Sequence, residues 1–122
     1  MSYDVRVEPA VDEDVAELIR EDRKAARAAL LLMLALRDDP WVGEELRERY
    51  NLRPLKDCRR IRFDRDDWRG KPRYRLVYRN EPEDGAPGVV RVWSVGPRQS
   101  LIAYSRAAAR ITRERARGRR PR

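Results

Sequence analysis

The side chains best suited to chemistry in this chain of 122 residues lie in VGPRQSLIAY, residues 95–104. A Gly-Pro turn ends an apolar run, Arg98 follows at once, and Tyr104 comes six positions later. A guanidinium binds phosphate oxygens through paired hydrogen bonds, and a phenol ring offers a stacking surface or a hydrogen bond to a nucleotide. The two side-chain types together are therefore suited to binding a nucleotide and its phosphate.

More arginines recur at alternate positions of two segments that have the period of a β-strand. Side chains of a strand alternate between two faces, so these arginines share the face opposite the large apolar residues. They are Arg60, Arg62, Arg75 and Arg79, and Arg98 leaves the next strand near the same rim. Like charges repel, so their convergence predicts a phosphate backbone as ligand. The alternative is a solvated face that pairs with nearby carboxylates, namely Asp57, Asp64, Asp66 and Asp67.

The overall charge indicates a polyanionic partner. Lysine and arginine number 29 against 21 aspartates and glutamates, which gives a net charge of +8. Nucleic acid is the first candidate for a partner of so basic a chain. The alternative is a biased genome that raises the arginine content without any partner.

Missing residue types exclude several kinds of site. With no histidine and one cysteine, Cys58, the chain has almost no zinc ligands and no Ser-His-Asp or Cys-His pair. A lone thiol, which we expect to be buried, fits a reducing compartment. The longest apolar stretch, residues 28–36, is far shorter than the ~20 residues that cross a bilayer. We therefore expect a cytoplasmic protein.

The first half of the chain must supply the supports of this face. The sequence predicts a strand at residues 3–7, followed by a helix capped by Asp12. The apolar face of this helix comprises Val11, Val15, Leu18 and Ile19. A second helical segment spans roughly residues 24–37 and is broken by the segment that ends at Pro40. The two segments form either a hairpin or one bent helix, and residues 41–50 form a short helix or an ordered loop.

The second half changes to the period of strands. Strands are predicted at residues 58–63, 73–79 and 89–95, joined by the turn-rich segments RDDWRGKP and NEPEDGAPG. A helix follows from Gln99 to about Arg117, with one apolar stripe made of Leu101, Tyr104, Ala108 and Ile111.

The order β-αα-βββ-α predicts the α+β fold class. A small antiparallel sheet packs against an N-terminal helical hairpin and a C-terminal helix. We expect a single domain over residues 1–117 and a basic, disordered tail at residues 118–122.

Three strings carry a resemblance to a known family. LKDCRRIRF, YRLVY and VWSVGPRQSLIAY, in this order and spacing, resemble the RelE/ParE superfamily of toxins from bacterial toxin–antitoxin pairs. The likeness is good over residues 55–111, and the spacing of Arg98 and Tyr104 resembles that of the RelE branch. It implies a RelE-like fold and a cognate antitoxin as partner.

The resemblance also implies an activity. RelE-like members are endoribonucleases that cut mRNA in the ribosomal A site, with the substrate 2′-hydroxyl as nucleophile and without metal or cofactor. Arg75 matches the arginine that stabilises the phosphate in the transition state, and Arg98 matches the arginine near the scissile phosphate and leaving oxygen. Tyr104 matches the tyrosine that stacks on or orients the nucleotide. Its place near the apolar stripe of the last helix leaves a core residue as the alternative.

This chain departs from the RelE pattern at Arg60 and Arg62, where RelE-type enzymes carry two lysines. Arginine stays charged in proteins, so neither residue can accept the proton of a 2′-hydroxyl. Lys56, Lys71, Asp57 or a phosphate oxygen of the substrate could accept it, and the sequence selects none of them. We expect electrostatic stabilisation with a weak or absent general base. The predicted phosphate-binding residues are Arg60, Arg62, Arg79 and Lys56.

Two other functions compete with RNA cleavage. A ParE-like toxin would inhibit DNA gyrase without cutting RNA, but such chains generally lack the arrangement kept here by Arg98 and Tyr104. A degenerate member would only bind nucleic acid or titrate an antitoxin, and the arginines at positions 60 and 62 favour that possibility. The acidic cluster Asp64, Asp66 and Asp67 is expected to be solvated and not to bind a metal.

Overall fold

The computed structural model describes residues 2–46 and 53–118. In this part of the chain it has three α-helices and one five-stranded sheet. The strands are β1 (Asp4–Val7), β2 (Glu44–Glu45), β3 (Cys58–Phe63), β4 (Tyr74–Glu83) and β5 (Ala86–Pro97). The helices are α1 (Pro9–Glu21), α2 (Arg23–Ala35) and α3 (Ile102–Gly118). The predicted α+β fold is confirmed.

The sheet is mixed, with the strand order β1-β5-β4-β3-β2. Strands β3, β4 and β5 are antiparallel, as predicted. Strand β1 pairs in parallel with β5, so that Asp4 lies opposite Val89. Strand β2 was not predicted. Its two residues lie in the segment where a helix or loop was expected, and residues 47–52 of that neighbourhood lie outside the described part.

The prediction of a loop at NEPEDGAPG is wrong, because most of this segment belongs to strands β4 and β5. The ladder continues to the pair Glu83 and Ala86, and the turn is confined to Asp84 and Gly85. Pro82 lies opposite Pro87 in the register. Proline has no amide hydrogen to donate, so pairing the two prolines removes donors at one rung only.

The two helical segments predicted in the first half are separate helices, α1 and α2, and not one bent helix. Asp22 separates them with an extended backbone (φ −157°), and its carboxylate accepts a hydrogen bond from the Ala25 amide at 3.1 Å, which caps α2. Helix α1 begins at Pro9, so Asp12 lies in its first turn and is not the cap that was predicted. Proline is favoured at a first helical position, where no amide hydrogen is needed.

Two apolar cores lie on the two faces of the sheet. The first, against α1 and α2, includes Val11, Leu18, Leu36, Phe63, Leu76 and Tyr78. The second, against α3, includes Cys58, Val77, Trp93, Tyr104 and Ile111. Two predicted core positions are wrong, because Ile19 is 44% exposed and Leu101 is 41% exposed. Leu101 lies in the 3-10 turn Gln99–Leu101 that precedes α3, so it is out of phase with the helical stripe.

A buried ionic network joins the two helical layers at the N-terminal half of α1. The Asp14 side chain is only 4% exposed and accepts hydrogen bonds from Arg110 of α3 at 2.6 and 2.8 Å. It also accepts the Val95 amide of β5 at 3.0 Å, and Arg106 lies 3.4 Å away. One carboxylate thus ties α1, β5 and α3 together.

Two sequence expectations concern other parts of the chain. Among the described residues, none of the helices combines the length and the apolar character needed to span a bilayer. The predicted disordered tail falls mainly on residues 119–122, which lie outside the described part; Gly118 ends α3.

Cys58 is 1% exposed, as expected, and burial raises the pKa of its thiol from 9.0 to about 12. The unfolded thiol therefore ionises first as the pH rises. The stability that the neutral thiol contributes is complete below pH 9 and is lost between pH 9 and pH 12.

We expect wild-type stability to fall with pH above 9 more steeply than that of Cys58→Ala, by up to about 1.4 kcal/mol per pH unit. The burial of Tyr78, whose pKa also rises to about 12, acts equally in both proteins. Urea unfolding at several pH values between 8 and 11 measures the difference. Parallel pH profiles for the two proteins would contradict it.

Candidate phosphate-binding cleft

An open cleft of about 970 Å³ lies at the end of the sheet where β3 ends, β4 begins and β5 runs into the 3-10 turn. Arg62, Arg75 and Gly96 form one rung across these three strands, and their alignment brings separate parts of the sequence to one place. Among the described residues that line the cleft, Glu21 is the only carboxylate. The cationic lining residues are Arg60, Arg62, Lys71, Arg73, Arg75 and Arg98.

Gly96 allows helix α3 to lie close to this end of the sheet. A Cβ at this position would lie 2.9 Å from Nη1 of Arg106 and 3.5 Å from Cα of Ala103. The close approach lets α3 cover part of the face that carries the arginines. The cleft lies beside α3, where the helix no longer covers the sheet.

Arg75 is held in the floor of the cleft and is 6% exposed. Its Nη1 donates to the carbonyl oxygens of Pro72 at 3.0 Å and Tyr74 at 2.8 Å. Burial lowers the pKa of its guanidinium, Tyr104 opposes that change, and the nearby charges of the other cleft arginines add to it. The group still carries its charge at neutral pH, because arginine ionises so far above it. Arg75 is therefore a preorganised, partly desolvated cation.

Arg98 is exposed at the rim, directly after the last residue of β5. Its amide donates to the Arg73 carbonyl at 2.8 Å, and its own carbonyl accepts from the Leu101 amide at 3.1 Å. Ser100 and Leu101 both have a positive φ, of 54° and 56°, which is uncommon for residues other than glycine. This tight turn fixes where Arg98 leaves the sheet.

Within residues 2–46 and 53–118, no carboxylate lies within the ion-pair distance of 4.0 Å from Arg75 or Arg98. The other arginines of the cleft differ in this respect. These two charges of the cleft thus have no carboxylate partner among the described residues.

Tyr104 lines the cleft but is 1% exposed, with its ring in the core under α3. Its hydroxyl accepts a hydrogen bond from Nη1 of Arg60 at 3.1 Å. The ring is therefore a core residue, as the alternative predicted, and the hydroxyl contacts Arg60 of the cleft. The stacking role implied by the resemblance does not fit this conformation, because the ring has no open face for a base.

Arg73 was not among the predicted site residues, although it lines the cleft beside Arg75. Its guanidinium donates to Asp64 at 2.9 Å and to Asp22 at 2.9 Å, and it lies 3.5 Å from the ring centre of Trp68. These contacts raise the pKa of Arg73, first through the hydrogen bond to Asp64. Its charge is therefore matched within the chain, and no sequence pattern distinguishes it from its neighbour two positions later.

The acidic cluster after β3 binds cationic side chains of the chain itself. Asp64 accepts from Arg73, and the Asp67 carboxylate lies 2.9 Å from Nζ of Lys24 and 3.2 Å from Nε of Arg65. Asp64 and Asp67 are therefore in ion pairs, whereas the sequence analysis expected solvated carboxylates.

Two residues of the predicted phosphate-binding set do not line the cleft. Arg79 shares the correct face, but it lies opposite Cys58 at the far end of β3. Lys56 is exposed in the turn that precedes the same strand. The alternation of a strand gives the face of a residue but not its distance from a site. Of the side chains considered as general base, Lys71 is the one that lines the cleft, and Lys56 and Asp57 do not.

Comparison with known proteins agrees with this architecture. The family model of the ParE toxin of type II toxin–antitoxin systems, parDE, matches residues 5–99. A mutant of E. coli toxin RelE, solved in the free state, has a TM-score of 0.63 and 24% identity, over 91% of this chain and 99% of that chain. No curated protein sequence matches the chain.

A second solved structure is the toxin–antitoxin complex RelBE2 from Mycobacterium tuberculosis. One chain of that complex has a TM-score of 0.54 and 25% identity, and the match covers 80% of this chain and 100% of that chain. The family match spans most of the chain, including nearly all of the sheet and Arg98. The chain therefore belongs to the ParE toxin family of type II toxin–antitoxin systems, within the RelE/ParE superfamily.

Proposed function

We propose that this toxin is an endoribonuclease that cuts mRNA on the ribosome. The observation that carries the proposal is the pair Arg75 and Arg98 at one open cleft, without an ion-pair partner among the described residues. A phosphodiester supplies the missing negative charge, and planar guanidiniums bind its oxygens in pairs. The resemblance of the Arg98 and Tyr104 arrangement to the RelE branch supports the choice of RNA.

In the proposed reaction the substrate 2′-hydroxyl oxygen attacks the adjacent phosphorus. The bond from phosphorus to the 5′-oxygen breaks, which leaves a 2′,3′-cyclic phosphate and a 5′-hydroxyl that has gained a proton. Negative charge gathers on the non-bridging oxygens in the transition state, where fixed cations lower the barrier. Arg75 stabilises this charge, and Arg98 lies at the rim where the leaving oxygen departs.

In the proposed mechanism, general-base catalysis contributes little to the rate. Arg60 and Arg62 cannot accept the proton of the 2′-hydroxyl. Lys71 and Glu21 line the cleft, but both are exposed side chains near its edge. We therefore assign most of the rate enhancement to positioning and charge stabilisation. Tyr104 acts in this scheme by holding the Arg60 guanidinium through their hydrogen bond.

We further propose a cognate antitoxin whose acidic residues cover the cleft. The toxin–antitoxin complex among the similar structures supports such a partner. Helix α2 adds an apolar surface for it, since Leu30, Leu31 and Leu34 are 47%, 55% and 56% exposed. Large exposed apolar groups that lie together mark interaction surfaces.

A ParE-like toxin that inhibits DNA gyrase is the second candidate function. The matching family model favours it, because that model describes ParE toxins. The match ends at residue 99, so it includes Arg98 and stops before Tyr104. The match to the ParE family therefore includes Arg98 but not Tyr104.

Primer extension after a short pulse of expression separates the two functions. We expect the wild-type toxin to produce cuts in translated regions at a fixed codon phase, and Arg98→Ala to reduce them at least about tenfold. Arg27→Ala, an exposed change on α2 away from the cleft, is the matched control and should cut normally. Intact transcripts with arrested growth would favour gyrase inhibition, and intact transcripts with normal growth would indicate a degenerate toxin.

A further inference from the structure

The short strand β2 brings a glutamate to the arginines of the cleft. Glu44 lies opposite Arg60 in the register of β2 and β3. Its Oε2 is 3.8 Å from Nη2 of Arg60, and its Oε1 is 3.5 Å from Nε of Arg62. One carboxylate thus contacts both cationic side chains that β3 contributes to the cleft.

The next residue, Glu45, faces the other side of the sheet and has a different partner. Its carboxylate is 3.2 Å from Nη2 of Arg59. Arg59 also donates to Asp84 at 2.7 Å and to the Gly43 carbonyl at 2.7 Å, so it belongs to a network away from the cleft. Two adjacent glutamates of equal charge therefore differ in whether they contact the arginines of the cleft.

The contacts of Glu44 are loose. A tight pair of a guanidinium and a carboxylate has distances of about 2.7–2.9 Å, and both distances of Glu44 are longer. The Glu44 side chain is also 59% exposed, so water competes for it. The pair with Arg62 is exposed on both sides, the Arg62 side chain being 46% exposed, and such pairs contribute little to stability. The Arg60 side chain is only 6% exposed, but it lines the cleft, and its contact with Glu44 is the longer of the two.

We propose that Glu44 is an internal counter-ion that competes with the phosphate backbone of a nucleic acid for Arg60 and Arg62. It lowers the affinity of the cleft for polyanions until a phosphate displaces it. The inference rests on the proposed function only in taking a nucleic acid as the ligand of the cleft. Without Glu44, a phosphate that binds Arg62 and reaches Arg60 no longer has to displace this carboxylate.

The test measures binding without cleavage. A short fluorescent RNA with 2′-O-methyl groups throughout has no free 2′-hydroxyl and cannot react by the proposed route. Fluorescence anisotropy gives its affinity for the wild type, Glu44→Gln and Glu45→Gln. We expect Glu44→Gln to bind about three- to tenfold tighter at low salt, and Glu45→Gln to stay within about twofold of the wild type.

The salt dependence of RNA affinity is a second measurement, and a change in the stability of the protein would not alter it. If Glu44→Gln gains one phosphate contact, the slope of log affinity against log salt steepens by about 0.7 for a single strand. Glu45→Gln should keep the wild-type slope. A thermal melt of each variant establishes that all three proteins are folded at the temperature of the binding assay.

Several results would overturn the inference. Glu44→Gln could bind no tighter than the wild type, or both variants could gain equally, which would show only the effect of net charge. Absence of binding by all three proteins would also overturn it. A loss of RNA cleavage at saturating substrate with unchanged affinity would make Glu44 a general base instead. Tighter binding by Glu44→Gln in a toxin that cuts no RNA would keep the inference and reject the proposed nuclease.

Discussion

The Arg75→Ala toxin is expected to lose about two to three orders of magnitude in its rate of RNA cleavage while remaining folded. Arg75 is fixed by two backbone carbonyls, is almost fully buried and has no carboxylate partner among the described residues. A preorganised cation of this kind stabilises transition-state charge more than a mobile surface residue does. The measurement is the single-turnover rate of cleavage of a translated message at saturating toxin.

Arg75→Lys refines this experiment. It keeps the positive charge but loses the planar fork that holds two oxygens at once. We expect it to recover only part of the lost rate, whereas Arg27→Ala serves again as the exposed control. Cleavage by Arg75→Ala at the wild-type rate would remove Arg75 from the site.

Replacing Asp14 by alanine is expected to lower the free energy of unfolding by about 3–5 kcal/mol. The change leaves Arg110, Arg106 and the Val95 amide without the buried carboxylate that now accepts from or faces them. Arg106 keeps Glu17. Among the described residues Arg110 keeps only the Trp93 carbonyl, and a largely buried charge without a carboxylate is expensive. Urea unfolding followed by circular dichroism measures the loss.

The control for Asp14 lies in the same helix. Asp12 is exposed in the first turn of α1, where a negative charge interacts only with the helix dipole. Asp12→Ala should therefore cost about 0.3–1 kcal/mol. Equal losses for the two variants would show that the network around Asp14 adds nothing to stability.

The strands and their arginine face could be predicted because they depend on local alternation. Strand β3 has the predicted bounds, and Arg60, Arg62 and Arg75 reach one cleft. Position along the strand could not be predicted from alternation, so Arg79 was grouped with residues that lie at the opposite end of the ladder. Register, which sets that position, depends on contacts between distant segments.

Other features depended on partners that no local pattern reveals. Arg73 and Arg75 look equivalent in the sequence. Asp22 and Asp64 nevertheless pair with Arg73, and neither of them pairs with Arg75. Strand β2 has only two residues, too few to show any period, so Glu44 could not be placed beside the arginines. The burial of Tyr104 follows from the approach of α3 at Gly96, which is a tertiary contact.

The parallel pairing of β1 with β5 determines when this protein can fold during its synthesis. The first strand pairs with residues Val89–Val92, and Asp14 meets Arg110, which follows it by 96 positions. Contacts between segments so far apart in the chain form late, because the second partner must first be made. Arg98, at the rim of the cleft, follows directly after β5 in the chain. The growing chain therefore carries no assembled cleft until β5 and the turn that follows it have been made.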